Sequence, residues 1–194
     1  MDLQGAMNFI LRRMEHELKP DLHYHSLNHT IDVHHAAKRL CMMEQTSEHD
    51  QLLIETAALF HDAGMLERYN DHEAASSHLA QRILPGFGYN GADIEQINKL
   101  IMVTCLPQQA LSLNEQIICD ADLDYLGRDD FFIHSFQLQL EWRLFGVKET
   151  NLKEWLILQA EFLTTHHYFT ISACRLRDGK KTDNLAEILT LIQK

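Results

Sequence analysis

The stretch Glu55-Thr56-Ala57-Ala58-Leu59-Phe60-His61-Asp62-Ala63-Gly64 decides how the rest of this chain is read. An apolar run ends there in two ionisable groups, and burying such groups is costly unless something compensates them. Imidazole and carboxylate together hold Zn, Fe, Mn or Co, and an adjacent His and Asp both reach one ion if the helix ends at the doublet. A bound cation is therefore the compensation that the chemistry of this stretch calls for. Two further ligand-type residues, His29 and Asp122, stand where other helix-forming segments begin or end.

Working outward, apolar residues recur at helical spacing and no segment alternates in strand fashion. The pattern predicts helices near 2–18, 27–45, 48–63, 71–84, 91–105, 112–123, 128–146, 150–168 and 182–193. Ser26 is placed to cap the second, Pro20 follows the first, and Gly64 closes the third. Pro85-Gly86-Phe87-Gly88 and Leu106-Pro107 break the pattern. The expectation is one all-α domain over 1–194, with the motif-bearing part in about 20–130 and the helices of 128–194 packed on it. The aromatic-rich segments holding Phe131, Phe132, Phe136, Trp142 and Phe145, and Trp155 and Phe162, read as core-packing helices or as a homodimer interface.

At 194 residues with 45% hydrophobic composition, the chain is long enough to bury a sizeable core. No apolar run approaches the ~18 residues of a membrane span. The start, Met1-Asp2-Leu3-Gln4-Gly5, has no basic region followed by an apolar stretch, so a cytoplasmic protein is expected. Cys41, Cys105, Cys119 and Cys174 are scattered without a Cys-x-x-Cys pair, which excludes a zinc ribbon and reads as free thiols. A formal net charge of −11 argues against nucleic acid as a partner. A small phosphorylated substrate stays open, because a metal reverses the sign of the potential inside a cleft.

Four ordered motifs carry a family resemblance. Tyr24-His25-Ser26-Leu27-Asn28-His29, Ala58-Leu59-Phe60-His61-Asp62-Ala63-Gly64, His72-Glu73-Ala74-Ala75-Ser76 and Asp120-Ala121-Asp122-Leu123-Asp124 resemble the sequential motifs of the HD superfamily of metal-dependent phosphohydrolases. The resemblance implies a helical bundle of about eight to nine helices holding a divalent ion (Mn, Fe, Co, Ni, Zn or Mg). Its implied ligands are His29, His61, Asp62 and Asp122. Spacing alone does not choose among Asp120, Asp122 and Asp124; the family pattern selects Asp122.

The activity implied is hydrolysis of a phosphomonoester or phosphodiester in a small molecule, a nucleotide being the expected class, by metal-activated water. Asp62, His72 and Glu73 are the expected catalytic groups, with His25, Arg68 and Arg175 as substrate contacts. His25 is also placed to orient a ligand. The basic string Arg175 to Lys181 otherwise reads as a solvated turn, and His16, His23, His34, His35 and His49 as surface or helix-face residues. One ion per chain is expected, since the stretch Ile101-Met102-Val103-Thr104 offers no histidine for a second. Binuclear-iron oxygenase chemistry and a non-catalytic ligand-sensing module are the alternative functions.

Overall fold

The computed structural model describes residues 1–193, and among them every regular element is helical. Nine α-helices follow in order: α1 Leu3–Glu17, α2 Leu27–Met43, α3 Glu48–Phe60, α4 His72–Ile83, α5 Gly91–Met102, α6 Leu113–Asp122, α7 Phe131–Leu144, α8 Leu152–Thr165 and α9 Ile171–Ile192. Short 3-10 turns at Ala63–Leu66, Leu84–Phe87 and Asp124–Gly127 redirect the chain. No helix among the described residues is long and apolar enough to cross a membrane.

Helix α3 is the central element. Every residue from Leu53 to Phe60 is buried, as expected of a helix that is apolar on all sides and must be covered on all sides. Helices α1, α2, α5 and α6 supply that cover. The ends are fixed by side-chain caps. Ser26 accepts from the His29 backbone N–H, and Ser112 and Asn151 form reciprocal capping boxes with Glu115 and Glu154. Helix α3 ends at Phe60, three residues short of the predicted end, because the chain tightens into the 3-10 turn with Met65 N–H donating to Asp62 O at 3.0 Å. All four cysteines are free thiols, with Cys41 and Cys119 buried.

The C-terminal part departs most from the sequence pattern. The basic string Arg175 to Lys181 lies in the first half of a 22-residue helix rather than in a turn. Thr170 caps that helix by accepting from Ala173 N–H, and Asn184 donates to the carbonyls of Leu126 and Arg128. Packing on α8 and on the 124–127 turn offsets the roughly 1 kcal/mol that Gly179 costs a helix interior. On α7, only Phe131, Ser135 and Glu141 are buried, and Ile133, Phe136 and Leu144 are exposed.

His166 at the end of α8 has a consequence for acid stability. Burial pushes its imidazole down to about 4, with Lys181 and His167 adding to the effect. An unfolded chain takes up that proton near ~6.5, so between about 6.5 and 4 the unfolded state binds more protons than the folded one. Stability is therefore expected to fall as pH drops through this window. Thermal melts of His166→Gln from pH 7 to 4 should show a shallower decline than the parent. Parallel declines would exclude His166 as the cause.

Candidate metal centre

Local structure puts each motif residue in place. The Ser26 cap sets His29 in the first turn of α2, facing inward at 4% exposure. His61 and Asp62 stand immediately beyond the last residue of α3, both buried. Gly64 then allows the 63–66 turn to press against α4: a Cβ there would lie 2.0 Å from the His72 carbonyl oxygen and 2.6 Å from Ser76 N. The Gly64 N–H donates to Ser76 Oγ at 2.7 Å. That close approach carries His72, the first residue of α4, to Asp62. Asp122 is the last residue of α6.

The four expected ligands converge. His61 Nε2 lies 3.4 Å from His29 Nε2, 3.1 Å from Asp62 Oδ2 and 3.5 Å from Asp122 Oδ1. His29 Nε2 is 3.4 Å from each of the same two carboxylate oxygens. Such separations match donor atoms placed ~2.0–2.2 Å from a common centre. The tautomer fits as well. His61 Nδ1 contacts the Ala58 carbonyl at 2.8 Å, which fixes a proton there and turns Nε2 toward the cluster.

Electrostatics make the same demand for positive charge. Asp62 Oδ2 is buried without a hydrogen-bond partner, a costly arrangement that a cation relieves. Burial opposes charge on Asp122, yet His29 and His61 hold its carboxyl down to about 2. Burial likewise lowers His61, but the carboxylates of Asp62 and Asp122 outweigh it and raise the imidazole well above its ordinary range. Asp62 is held well below the usual range, burial being overcome by His61 and His25.

Geometry separates the three aspartates that spacing left open. Asp120 accepts from Phe169 N–H, Thr170 N–H and Thr170 Oγ1 at 2.7–2.8 Å. Asp124 accepts from Arg39 and Arg177 at 2.8 Å. Only Asp122 faces the histidines, and Gln108 steadies its other oxygen at 3.1 Å. Asp122→Asn is expected to release the ion, whereas Asp120→Asn and Asp124→Asn should keep it and instead lower the melting temperature, each losing about 1–3 kcal/mol. Metal analysis and melting curves of the three variants check this; equal metal loss in all three with the fold intact would contradict it.

A second group gathers beside the first. Ligand atoms of His25, Asp62 and His72 lie within 4.8 Å of one another, as do those of His29, His61 and Asp122. The additional nitrogen near His72 thus comes from His25, ahead of α2, and not from the end of α5, where Thr104 Oγ1 donates to Ile101 O at 2.8 Å. His72 Nε2 stands 3.2 Å from Asp62 Oδ1, while its Nδ1 contacts Tyr69 O at 3.0 Å. Both contacts are satisfied together by an imidazolium. Burial lowers its pKa, but Asp62 more than compensates and the net shift is upward.

Sequence reading missed Glu141, which is fully buried. From α7 it accepts the backbone N–H of Tyr24 at 2.8 Å and of His25 at 3.1 Å, the Tyr69 hydroxyl at 3.0 Å, and pairs with His25 Nδ1. Burial opposes its charge, but these donors, His25 foremost, hold the carboxyl below its usual range. Its partners Tyr24 and His25 lie more than 100 positions away, and Leu140-Glu141-Trp142 gives no local sign of burial. Tyr69 stacks on Phe145 with centroids 4.3 Å apart.

The remaining expected residues sit farther out. Glu73 Oε2 is 3.6 Å from His72 Nδ1. Arg68 is exposed in the loop before α4 and donates to Asp71 O at 3.3 Å. Arg175 is exposed on α9 and makes no hydrogen bond or ion pair among the described residues. His34 departs from the surface reading: it is buried and bonds Glu55 at 2.9 Å, away from the cluster.

The HD domain family model matches residues 26–124, a span holding His29, His61, Asp62, His72 and Asp122. A solved structure, a predicted HD superfamily hydrolase from an uncultured Thermotogales bacterium, is similar in fold with a TM-score of 0.61 and 19% identity. The match covers 98% of this chain and 88% of that one. No curated protein matches the chain significantly. With half of its length matched by the family model and the ordered His and Asp motifs gathered at one point, the chain belongs to the HD domain family.

Proposed function

We propose that the protein is a metal-dependent phosphohydrolase acting on a small phosphorylated molecule, a nucleotide being the class we favour. The observation that carries this reading is the convergence of His29, His61, Asp62 and Asp122 around the unpartnered Asp62 Oδ2. These four residues would hold one divalent ion. When bound, such an ion supplies an acidified water and neutralises charge on a phosphoryl group.

The chain's own groups account for the rest. His25 gives its Nδ1 side to Glu141, so Nε2 faces the cluster and can pass a proton to the leaving oxygen. His72, bonded to Asp62, brings positive charge to the substrate phosphate, and Glu73 steadies His72 from the other side. Arg68, in the loop joining the 63–66 turn to α4, is the candidate outer phosphate contact, and Arg175 a more distant one. We assign one domain to the whole of 1–194, because α7 supplies Glu141 to the motif-bearing part and α9 packs on the 124–127 turn.

A second reading, two ions per chain, is favoured by one observation, the His25, Asp62 and His72 group. The single-ion reading is preferred because Asp62 Oδ1 and His72 Nε2 are paired with each other at 3.2 Å, whereas Asp62 Oδ2 is buried without a partner. A phosphate-release screen with Mn, Co, Mg or Ni over nucleotides, cyclic nucleotides and sugar phosphates tests the proposal. Turnover of at least one class that disappears in His61→Ala supports it; no metal-dependent turnover in any class contradicts it.

A further inference from the structure

We propose that Gln108 governs which divalent ions the metal centre accepts, by holding Asp122 to a single coordinating oxygen. This rests on the reading that His29, His61, Asp62 and Asp122 bind one ion, and it gives that centre a selectivity beyond what its ligand types provide.

The two carboxylates share an asymmetry. Asp122 turns Oδ1 to His29 Nε2 at 3.4 Å and to His61 Nε2 at 3.5 Å, while its Oδ2 accepts from Gln108 Nε2 at 3.1 Å. Asp62 turns Oδ2 to the same two imidazoles at 3.4 and 3.1 Å, while its Oδ1 pairs with His72 Nε2 at 3.2 Å. Each carboxylate therefore presents one oxygen to the cluster and has the other engaged by a protein donor. The four residues then offer two nitrogens and two oxygens, one atom from each. Such a set suits Mn, Fe, Co or Zn, with positions left for water. Calcium takes about six to eight oxygens and often both oxygens of one carboxylate. Engaging the second oxygen of Asp122 works against it.

The chemistry of the donor matters. A lysine or arginine on Oδ2 would neutralise the carboxylate and compete with the ion for it. The amide of Gln108 binds the oxygen and leaves the charge in place. An ionised carboxylate only accepts, so the amide must present its nitrogen and not its oxygen. The Asp122 side chain is 14% exposed, so little water competes for that oxygen.

The backbone keeps Gln108 within reach. It lies in the connection 103–112 between α5 and α6. At the start of that connection Cys119 Sγ donates to Val103 O at 3.4 Å. At its end Glu115 accepts from the N–H groups of Leu111 and Ser112, each at 2.8 Å. Both anchors belong to α6, the helix that ends in Asp122. Amide and carboxylate are thus carried by one body, as suits a residue that orients a ligand.

Titration of the metal-free chain with Mn, followed by the paramagnetic resonance of free Mn, and displacement of that Mn by Ca test the proposal. The variants are Gln108→Met, which keeps the length of the side chain but cannot donate, and Gln108→Asn, which is one methylene too short. Gln109→Met, at an exposed neighbour, is the control. The ratio of Mn to Ca affinity is expected to fall about tenfold or more in both Gln108 variants and to stay at the parent's value in the control. Visible absorption of the Co-loaded protein should weaken in Gln108→Met, as a second Asp122 oxygen raises the coordination number. Melting of the metal-free variants separates this role from bracing of the connection. A lowered melting temperature with the parent's Mn-to-Ca ratio would overturn the proposal, and so would an equal fall of the ratio in Gln109→Met. A parent that binds neither ion would overturn the four-residue centre as well. Tight Mn binding with an unmoved ratio in the Gln108 variants would remove only the role of Gln108.

Discussion

Replacing Asp62 by alanine is expected to lower turnover by about 10³-fold or more while leaving the helical content unchanged. Asp62 is the one residue shared by both groups of ligand atoms, with Oδ2 turned to His29 and His61 and Oδ1 to His72. Its loss removes the charge that anchors the ion and the partner that keeps His72 charged. His61→Ala should lose a similar factor through the ion alone. Steady-state rates with a substrate found in the phosphate-release screen measure both. A kcat within tenfold of the parent for Asp62→Ala would show that the chemistry lies elsewhere.

Glu141→Gln is expected to reduce kcat by about 10–100-fold, the usual effect of removing a partner that orients an active imidazole, with metal content unchanged. The amide keeps one acceptor for the backbone N–H groups of Tyr24 and His25 but loses the carboxylate oxygen that pairs with His25 Nδ1. Glu141→Ala should in addition leave two buried N–H donors unpaired, costing about 1–3 kcal/mol for each. The Gln variant therefore reports on positioning and the Ala variant on stability. A lowered melting temperature with unchanged kcat in both would reduce Glu141 to a structural brace.

The split between what the sequence showed and what it hid follows from the range of the interactions. Helix existence was legible because periodicity and caps are local: Ser26, Pro85 and Gly88 mark real ends. His29, His61, Asp62 and Asp122 were legible because each sits at such an end and matches an ordered family motif. Glu141 was not, since its partners Tyr24 and His25 are more than 100 positions away and nothing local distinguishes it from a solvated carboxylate. The basic segment of α9 was hidden for a related reason. Gly179 and a run of charges read as a turn, and packing on α8 and on the 124–127 turn holds them in a helix. Asp120 and Asp124 were placed by bonds to Thr170 and Arg177 from the far end of the chain.

Metal content per chain, measured by mass spectrometry after loading with Mn and desalting, tests the central claim most directly. The quartet of His29, His61, Asp62 and Asp122 predicts close to one ion in the parent and in His72→Ala, and close to none in Asp62→Ala. Parent-like content in Asp62→Ala would contradict the centre itself, and two ions falling to one in His72→Ala would replace it with a binuclear site.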